Sequence, residues 1–388
     1  MKISKRVQVI EPSLTRKLFN MASKYNDVIN LTLGDPDLKP AEEIRCAACA
    51  AIQDGKTRYS ANAGILPLRE MIAKHIEKEY DTIVCPDEEV TVTVGGMEAL
   101  FLTIASIVDD GDEVIIPGPY YVNYVQMVRM CGGVPIVIDT KEEDNFSFSL
   151  KQVEDAITSK TIGIILNTPS NPSGQVLSEA LLTELSKIVK EKELMVISDE
   201  VYSSLIYDGE KHHSIFNIDG MRSNTILIDS ISKRFSMTGY RVGYAVGPKE
   251  IIAAMTKMQE NVAACAPLPS QYAALAAYEA NFDNSFILDE FEKRRNYIYE
   301  AINNIEGLHA NKPAATFYLM VNIESSGLDS ISFAEKLLES VHVAVAPGIT
   351  YGKSYDQFVR IAFTLEIDVL KEAVERITKF MKEINEVS

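Results

Sequence analysis

A chain of 388 residues is long for one hydrophobic core, so a larger and a smaller unit are expected. With 38 Lys and Arg against 55 Asp and Glu the formal net charge is −17, which argues against a nucleic-acid partner, since binding a polyanion rests on cations that neutralise phosphates. No apolar run approaches the roughly 18 residues of a membrane span, and the start MKISKRVQVIEPS lacks a signal peptide's apolar stretch, so a cytoplasmic protein with no membrane partner is expected.

The predicted elements alternate. A helical stretch, EEIRCAACAAI, carries Cys46 and Cys49 as a CxxC; no second Cys or His pair lies near it, so the two read as helix packing rather than a metal or redox site. The 5 cysteines are odd in number and scattered, as reduced thiols would be. Then come short β-branched runs at 90–94, 113–116, 134–138, 161–166, 194–197 and 225–228, separated by helix-length segments such as 97–108 and 179–190. That rhythm predicts an α/β fold with a mostly parallel central sheet flanked by helices. Ligands of such sheets sit beyond the carboxyl ends of the strands.

The residues after each run are unusually polar. Gly95 and Gly96 follow the first and precede a helix starting near Met97, where free N–H groups and the helix dipole suit a phosphate. Tyr120, Tyr121 and Tyr124 follow the second, and the turn-rich Asn167–Gly174 segment, with Asn171, follows the fourth. Ser198-Asp199-Glu200-Val201-Tyr202 follows the fifth, and a carboxylate ending a buried strand demands a cationic or hydrogen-bonding partner. Ser230, Ser232, Lys233 and Arg241 follow the sixth. Each segment alone is an ordinary turn or packing element; together they place donors, an acid and two cations on one rim.

These motifs carry a resemblance. Gly95-Gly96, Asn171-Pro-Ser-Gly174, Ser198 to Tyr202, Ser230-x-Ser232-Lys233 and Gly239-x-Arg241-x-Gly243 resemble those of the pyridoxal-phosphate-dependent aminotransferases of fold type I, class I/II. Leu33-Gly-Asp-Pro-Asp37, Tyr59 to Gly64 with Leu68-Arg69, and Phe358-Val-Arg-Ile-Ala-Phe363 extend the likeness towards both ends of the chain.

The resemblance implies a cofactor, pyridoxal 5′-phosphate, joined to Lys233 as a Schiff base, with Lys233 also moving the proton once substrate displaces it. Asp199 is implied at the pyridine nitrogen, and Tyr202 and Asn171 at the ring's 3-oxygen. Ser230, Ser232, Arg241 and the backbone of Gly95, Gly96 and Met97 would hold the phosphate. Either Tyr120 or Tyr121 would stack on the ring, with Tyr121 preferred. Arg360 is implied as the bidentate partner of the substrate α-carboxylate, and Gly34 as the glycine closing over it; by itself Arg360 would read as an edge-strand arginine in a salt bridge. Tyr59 would reach the phosphate of a neighbouring subunit, hence a homodimer with shared active sites.

By the same resemblance residues 45–285 form the large cofactor domain, and 1–44 with 286–388 form an N-terminal arm plus a smaller α+β domain. The implied activity is ping-pong transfer of an amino group from an L-amino acid to a 2-oxo acid, with 2-oxoglutarate as acceptor. Met97 stands where aspartate-preferring relatives can carry a lysine, which favours a neutral or aromatic donor. Ala315 replaces a usual glycine before Phe317 and Tyr318, which narrows the expected turn. A β-eliminating C–S lyase on the same fold is the alternative. His212 and His213 are expected in a surface loop without a role.

Overall fold

The structure, a computed structural model, describes residues 2–12, 14–280 and 285–387. Its main sheet has seven strands: β1 (Val90–Thr93), β2 (Glu113–Pro117), β3 (Val134–Ile138), β4 (Thr161–Asn167), β5 (Met195–Asp199), β6 (Thr225–Ser230) and β7 (Gly243–Val246). Their order is β1-β7-β6-β5-β4-β2-β3, with β7 antiparallel to both neighbours and the other pairs parallel. All six expected runs are strands. The seventh, β7, was not expected: four residues, Gly-Tyr-Ala-Val, all buried, show neither alternation nor a β-branched run.

Burial explains why these runs are continuously apolar. Val114 and Ile116 belong to one core while Ile115 belongs to another, and the same split separates Ile165 from Ile164 and Leu166, and Ile197 from Val196. Successive side chains point to opposite faces, so both faces must be covered. Helices Gly95–Ile107 and Lys249–Val262 cover one face, and helix Glu179–Glu191 covers the other with Leu182, Leu185 and Val189.

A smaller sheet pairs β8 (Tyr318–Asn322) antiparallel with β9 (Phe358–Ala362), and Ala346–Pro347 flanks the other side of β9. Ile29–Asn30 runs parallel to Val343–Ala344, which brings the N-terminal segment beside the C-terminal strands. The core here joins Leu31, Phe291, Phe317, Leu337 and Phe363, and also takes in Tyr202 and Leu205 from just beyond β5. The two sheets are therefore bridged at the carboxyl end of the larger one.

Two local expectations change. Cys46 and Cys49 do sit on a helix, Glu42–Gln53, but both thiols are exposed, and only Ile44 and Ala51 of that helix are buried, so they are not packing residues within the chain. In the 314–318 turn the left-handed position is Thr316, with φ +65°, so Ala315 meets no conflict in taking a glycine's place.

Candidate active site

The strand ends of the main sheet and the β8–β9 pair enclose a cavity of about 400 Å³. Asp199, the last residue of β5, is 3% exposed and accepts a 2.5 Å hydrogen bond from Tyr124 Oη. Burial pushes its carboxyl up to about 6, against the opposing pull of the Tyr124 bond. Among the described residues no cation forms an ion pair with it.

Lys233 lies on the adjacent element, in the short helix Ile231–Arg234 that follows β6, and strands β5 and β6 pair in register. Its Nζ donates to the Gly34 carbonyl at 2.7 Å and lies 5.4 Å from the Phe317 ring centroid. Burial pulls its ammonium down to about 8, opposed by Asp35 and assisted by Arg241 and Arg360. A lysine so placed reaches the neutral, nucleophilic form far more readily than a surface one.

Arg241 closes the opposite end. Its backbone is left-handed, φ +55°, and Nη1 donates to the Thr238 carbonyl at 3.0 Å. A Cβ on Gly95 would lie 2.4 Å from Arg241 Nη2, and Gly95 itself has φ +76°, so this position takes glycine on two grounds. Gly96 and Met97 begin the helix beside it and line the cavity. Ser230 Oγ caps the Lys233 helix by accepting from Ser232 N–H at 3.1 Å, and it lies 2.8 Å from Ser232 Oγ.

The β9 side brings Arg360, only 5% exposed. Nη1 donates to Asn171 Oδ1 at 2.9 Å, Nη2 donates to the Thr32 carbonyl, and the guanidinium lies 4.2 Å from the Tyr318 ring centroid. Its Nε is buried without a hydrogen-bond partner among the described residues, and β9 is the central strand of its sheet. The ordinary reading, an edge-strand arginine in a salt bridge, therefore does not hold; this guanidinium has no carboxylate partner among the described residues. Gly34 passes above Tyr318, where a Cβ would fall 1.7 Å from the phenol oxygen.

Tyr202 Oη and Tyr318 Oη are 3.2 Å apart at the cavity wall. Tyr121 lines the cavity, whereas Tyr120 lines a separate hollow behind Pro119 and Phe146. The Tyr121 hydroxyl lies 3.4 Å from Met97 Sδ and accepts from Asn123 Nδ2 at 3.0 Å. Tyr59 is 87% exposed and does not reach this cavity.

Sequence reasoning missed several contributors. Tyr124 stands out in the sequence only as one of the aromatics after the second run, and its bond to Asp199 joins residues 75 positions apart. Asn167 accepts from Asn171 N–H at 2.8 Å and donates to the Asp199 carbonyl at 3.1 Å, so it locks the Asn171 turn to β5. Tyr318 was quoted only as part of a motif. The bonds that reach Asp199 from Tyr124 and Asn167, across 75 and 32 positions, have no signature along the chain.

The residues fit pyridoxal phosphate. A depressed lysine suits an aldehyde, a buried acid lacking a cation suits a protonated ring nitrogen, and Arg241 over a glycine-lined helix start suits a phosphate. Lys233, Asp199 and Arg241 are set around one cavity.

The sequence profile of "Aminotransferase class I and II" matches residues 26–377. "Aromatic-amino-acid aminotransferase 2" of Thermococcus litoralis is 36% identical over 386 residues, 99% of each chain, and "Aspartate aminotransferase" of Pyrococcus abyssi is 37% identical, also over 99% of each. The crystal structure of an aromatic aminotransferase from Pyrococcus horikoshii superposes with a TM-score of 0.89 at 36% identity, covering 94% of this chain and 99% of that one. The chain therefore belongs to the class I and II aminotransferases, a family generally dependent on pyridoxal phosphate, and is a transferase of amino groups.

Proposed function

We propose that the enzyme moves the amino group of a neutral or aromatic L-amino acid to 2-oxoglutarate in two half-reactions, with pyridoxal phosphate held at Lys233. The observation that carries this reading is the cavity's three cations, Lys233, Arg241 and Arg360, set around one unpaired buried acid, Asp199. When bound, the cofactor supplies an electron sink for the substrate's α-carbon. Asp199 holds a proton on the ring nitrogen. Lys233 Nζ, which now donates to the Gly34 carbonyl, would hold the cofactor's aldehyde carbon until a substrate amine takes its place, and would then move the proton that leaves the α-carbon. Arg360 binds the α-carboxylate with its fork of donors, exchanging the Asn171 and Thr32 acceptors for the substrate's two oxygens. Tyr202 and Asn171 would hold the ring oxygen, and Arg241, Ser230, Ser232 and the N–H groups of Gly95, Gly96 and Met97 would hold the phosphate.

The donor preference rests on Met97, whose thioether is met by Tyr121 and Asn123 rather than by a cation. Relatives of both aspartate and aromatic specificity are equally similar, so this one wall supports the choice. The exposed Tyr59 supports a homodimer in which it serves the partner's phosphate. We divide the chain into a cofactor domain, 45–285, and a closing unit made of 1–44 and 286–388, which carries Gly34 and Arg360. Five unpaired cysteines support a reducing, cytoplasmic setting.

The test is spectroscopic. Purified enzyme should show a visible cofactor band that single donors such as phenylalanine abolish and a 2-oxo acid restores, with Lys233→Ala as the blank. Steady release of pyruvate and ammonia without loss of the band would instead establish the lyase. Activity with aspartate exceeding that with phenylalanine would reject the neutral or aromatic donor, and Met97→Lys should raise aspartate turnover by roughly ten- to a hundredfold.

A further inference from the structure

Glu200 follows Asp199 directly and takes no part in the site, yet it is 0% exposed. Its carboxyl group meets four side chains on three elements. Ser198 Oγ of β5 donates at 2.7 Å, Tyr80 Oη at the end of helix Leu66–Tyr80 at 3.0 Å, and Ser214 Oγ at 2.5 Å, while His212 Nε2 completes the set. The Glu200 backbone N–H donates to the Ile228 carbonyl of β6 at 2.9 Å. His212 is correspondingly not a surface-loop residue: its side chain is 13% exposed and stands edge-on to Tyr80.

The path of the chain between these contacts gives them a purpose. After Asp199 and Tyr202 it leaves the main sheet for the β8–β9 core, where Leu205 O accepts from Thr316 N–H at 2.8 Å and Tyr207 N–H donates to Ala314 O at 2.9 Å. Asp208 then pairs with the buried Arg295 through both oxygens, each at 2.9 Å. Residues 212–214 return and close the loop on Glu200. One strap thus begins at the cofactor acid, grips the turn that carries Tyr318, and ends where it began.

We infer that Glu200 is a positioning residue that closes this strap at the end of β5 and so fixes the aim of Asp199 and Tyr202, with His212 as its partner on the returning arm. The inference rests on the cofactor reading, because Asp199 is the group whose aim is fixed. Arg360 is anchored by Asn171 and Thr32, not through Glu200, so substrate binding should be spared.

Three variants test it in the full-length holoenzyme. Glu200→Gln keeps the shape but meets at least one donor with another donor; His212→Ala removes a single donor, and His212→Gln restores one. Expected for Glu200→Gln and His212→Ala is a kcat lowered roughly tenfold or more with donor KM within about twofold, as for loss of a contact that orients a reacting group. The pH midpoint at which the cofactor's visible absorbance changes should shift in both, and His212→Gln should recover it. Variants that melt earlier but keep the wild-type midpoint and kcat would overturn the inference and leave Glu200 a fold-stabilising residue. A wild-type protein that never acquires the absorbance would overturn the cofactor reading itself, and this inference with it.

Discussion

The cavity has two sides built on different principles. On the main-sheet side Asp199, Lys233 and Arg241 stand at strand ends, fixed by Tyr124, by a capped helix turn and by a left-handed backbone. On the β9 side Arg360 holds two neutral acceptors that a carboxylate could replace, and one of its donors, Nε, has none. A cofactor that stays needs a rigid cradle, whereas a substrate that comes and goes needs partners that can be exchanged without leaving a buried charge bare. Of the contacts that join the sides, Lys233 Nζ on the Gly34 carbonyl is the one a bound cofactor would release.

Substitutions on the two sides should therefore fail differently. Lys233→Ala should lower kcat/KM by roughly three orders of magnitude or more and abolish the donor-dependent absorbance change, because it removes both the tether and the base. A variant that retained more than a tenth of the activity would break the assignment. Arg360→Lys should leave the absorbance intact yet raise donor KM by roughly ten- to a hundredfold, since an ammonium cannot reproduce the planar fork. If kcat fell alone, Arg360 would belong to the rigid side after all. Gly34→Ala is a milder probe of the same side: its Cβ would meet Tyr318 Oη at 1.7 Å, so the strip must lift, with KM rising several-fold and the cofactor spectrum unchanged.

The same contrast sets how much could be read along the chain. The main-sheet side was legible because a parallel strand buried on both faces is a continuous apolar run, and whatever polar group ends it stands out. Asp199, Lys233 and Asn171 stand out that way without any resemblance. Arg360 was not, because a single arginine in Phe-Val-Arg-Ile-Ala looks like any strand arginine; only the family motif marked it. The partners that aim these groups, Tyr124, Asn167 and Tyr318, were illegible for a physical reason: a hydrogen bond between positions 75 apart, as for Tyr124 and Asp199, leaves no local pattern. His212 was misplaced for the same reason, since its burial depends on a carboxylate brought in by another element. Strand β7 escaped because four residues are too few to show a period.

The smallest expected effect is on stability, and it tests the rigid side from within. Among the described residues no cation pairs with Asp199, and burial raises its carboxyl from 3.8 to about 6. A group whose native value lies above its unfolded value binds more protons when folded, so its favourable contribution is present below about pH 4 and is lost as pH rises through about 6. Above that window the cofactor-free protein carries a buried charge at a cost on the order of 2 to 3 kcal/mol. Asp199→Asn keeps an acceptor for Tyr124 and removes the charge. Denaturant unfolding of the cofactor-free proteins should find the variant more stable at pH 7 and equal to the wild type near pH 4, while the variant fails in transamination. Equal stability at both pH values would mean that Asp199 already has its counter-charge within the chain, and its assignment to a ligand's ring nitrogen would lose its physical basis.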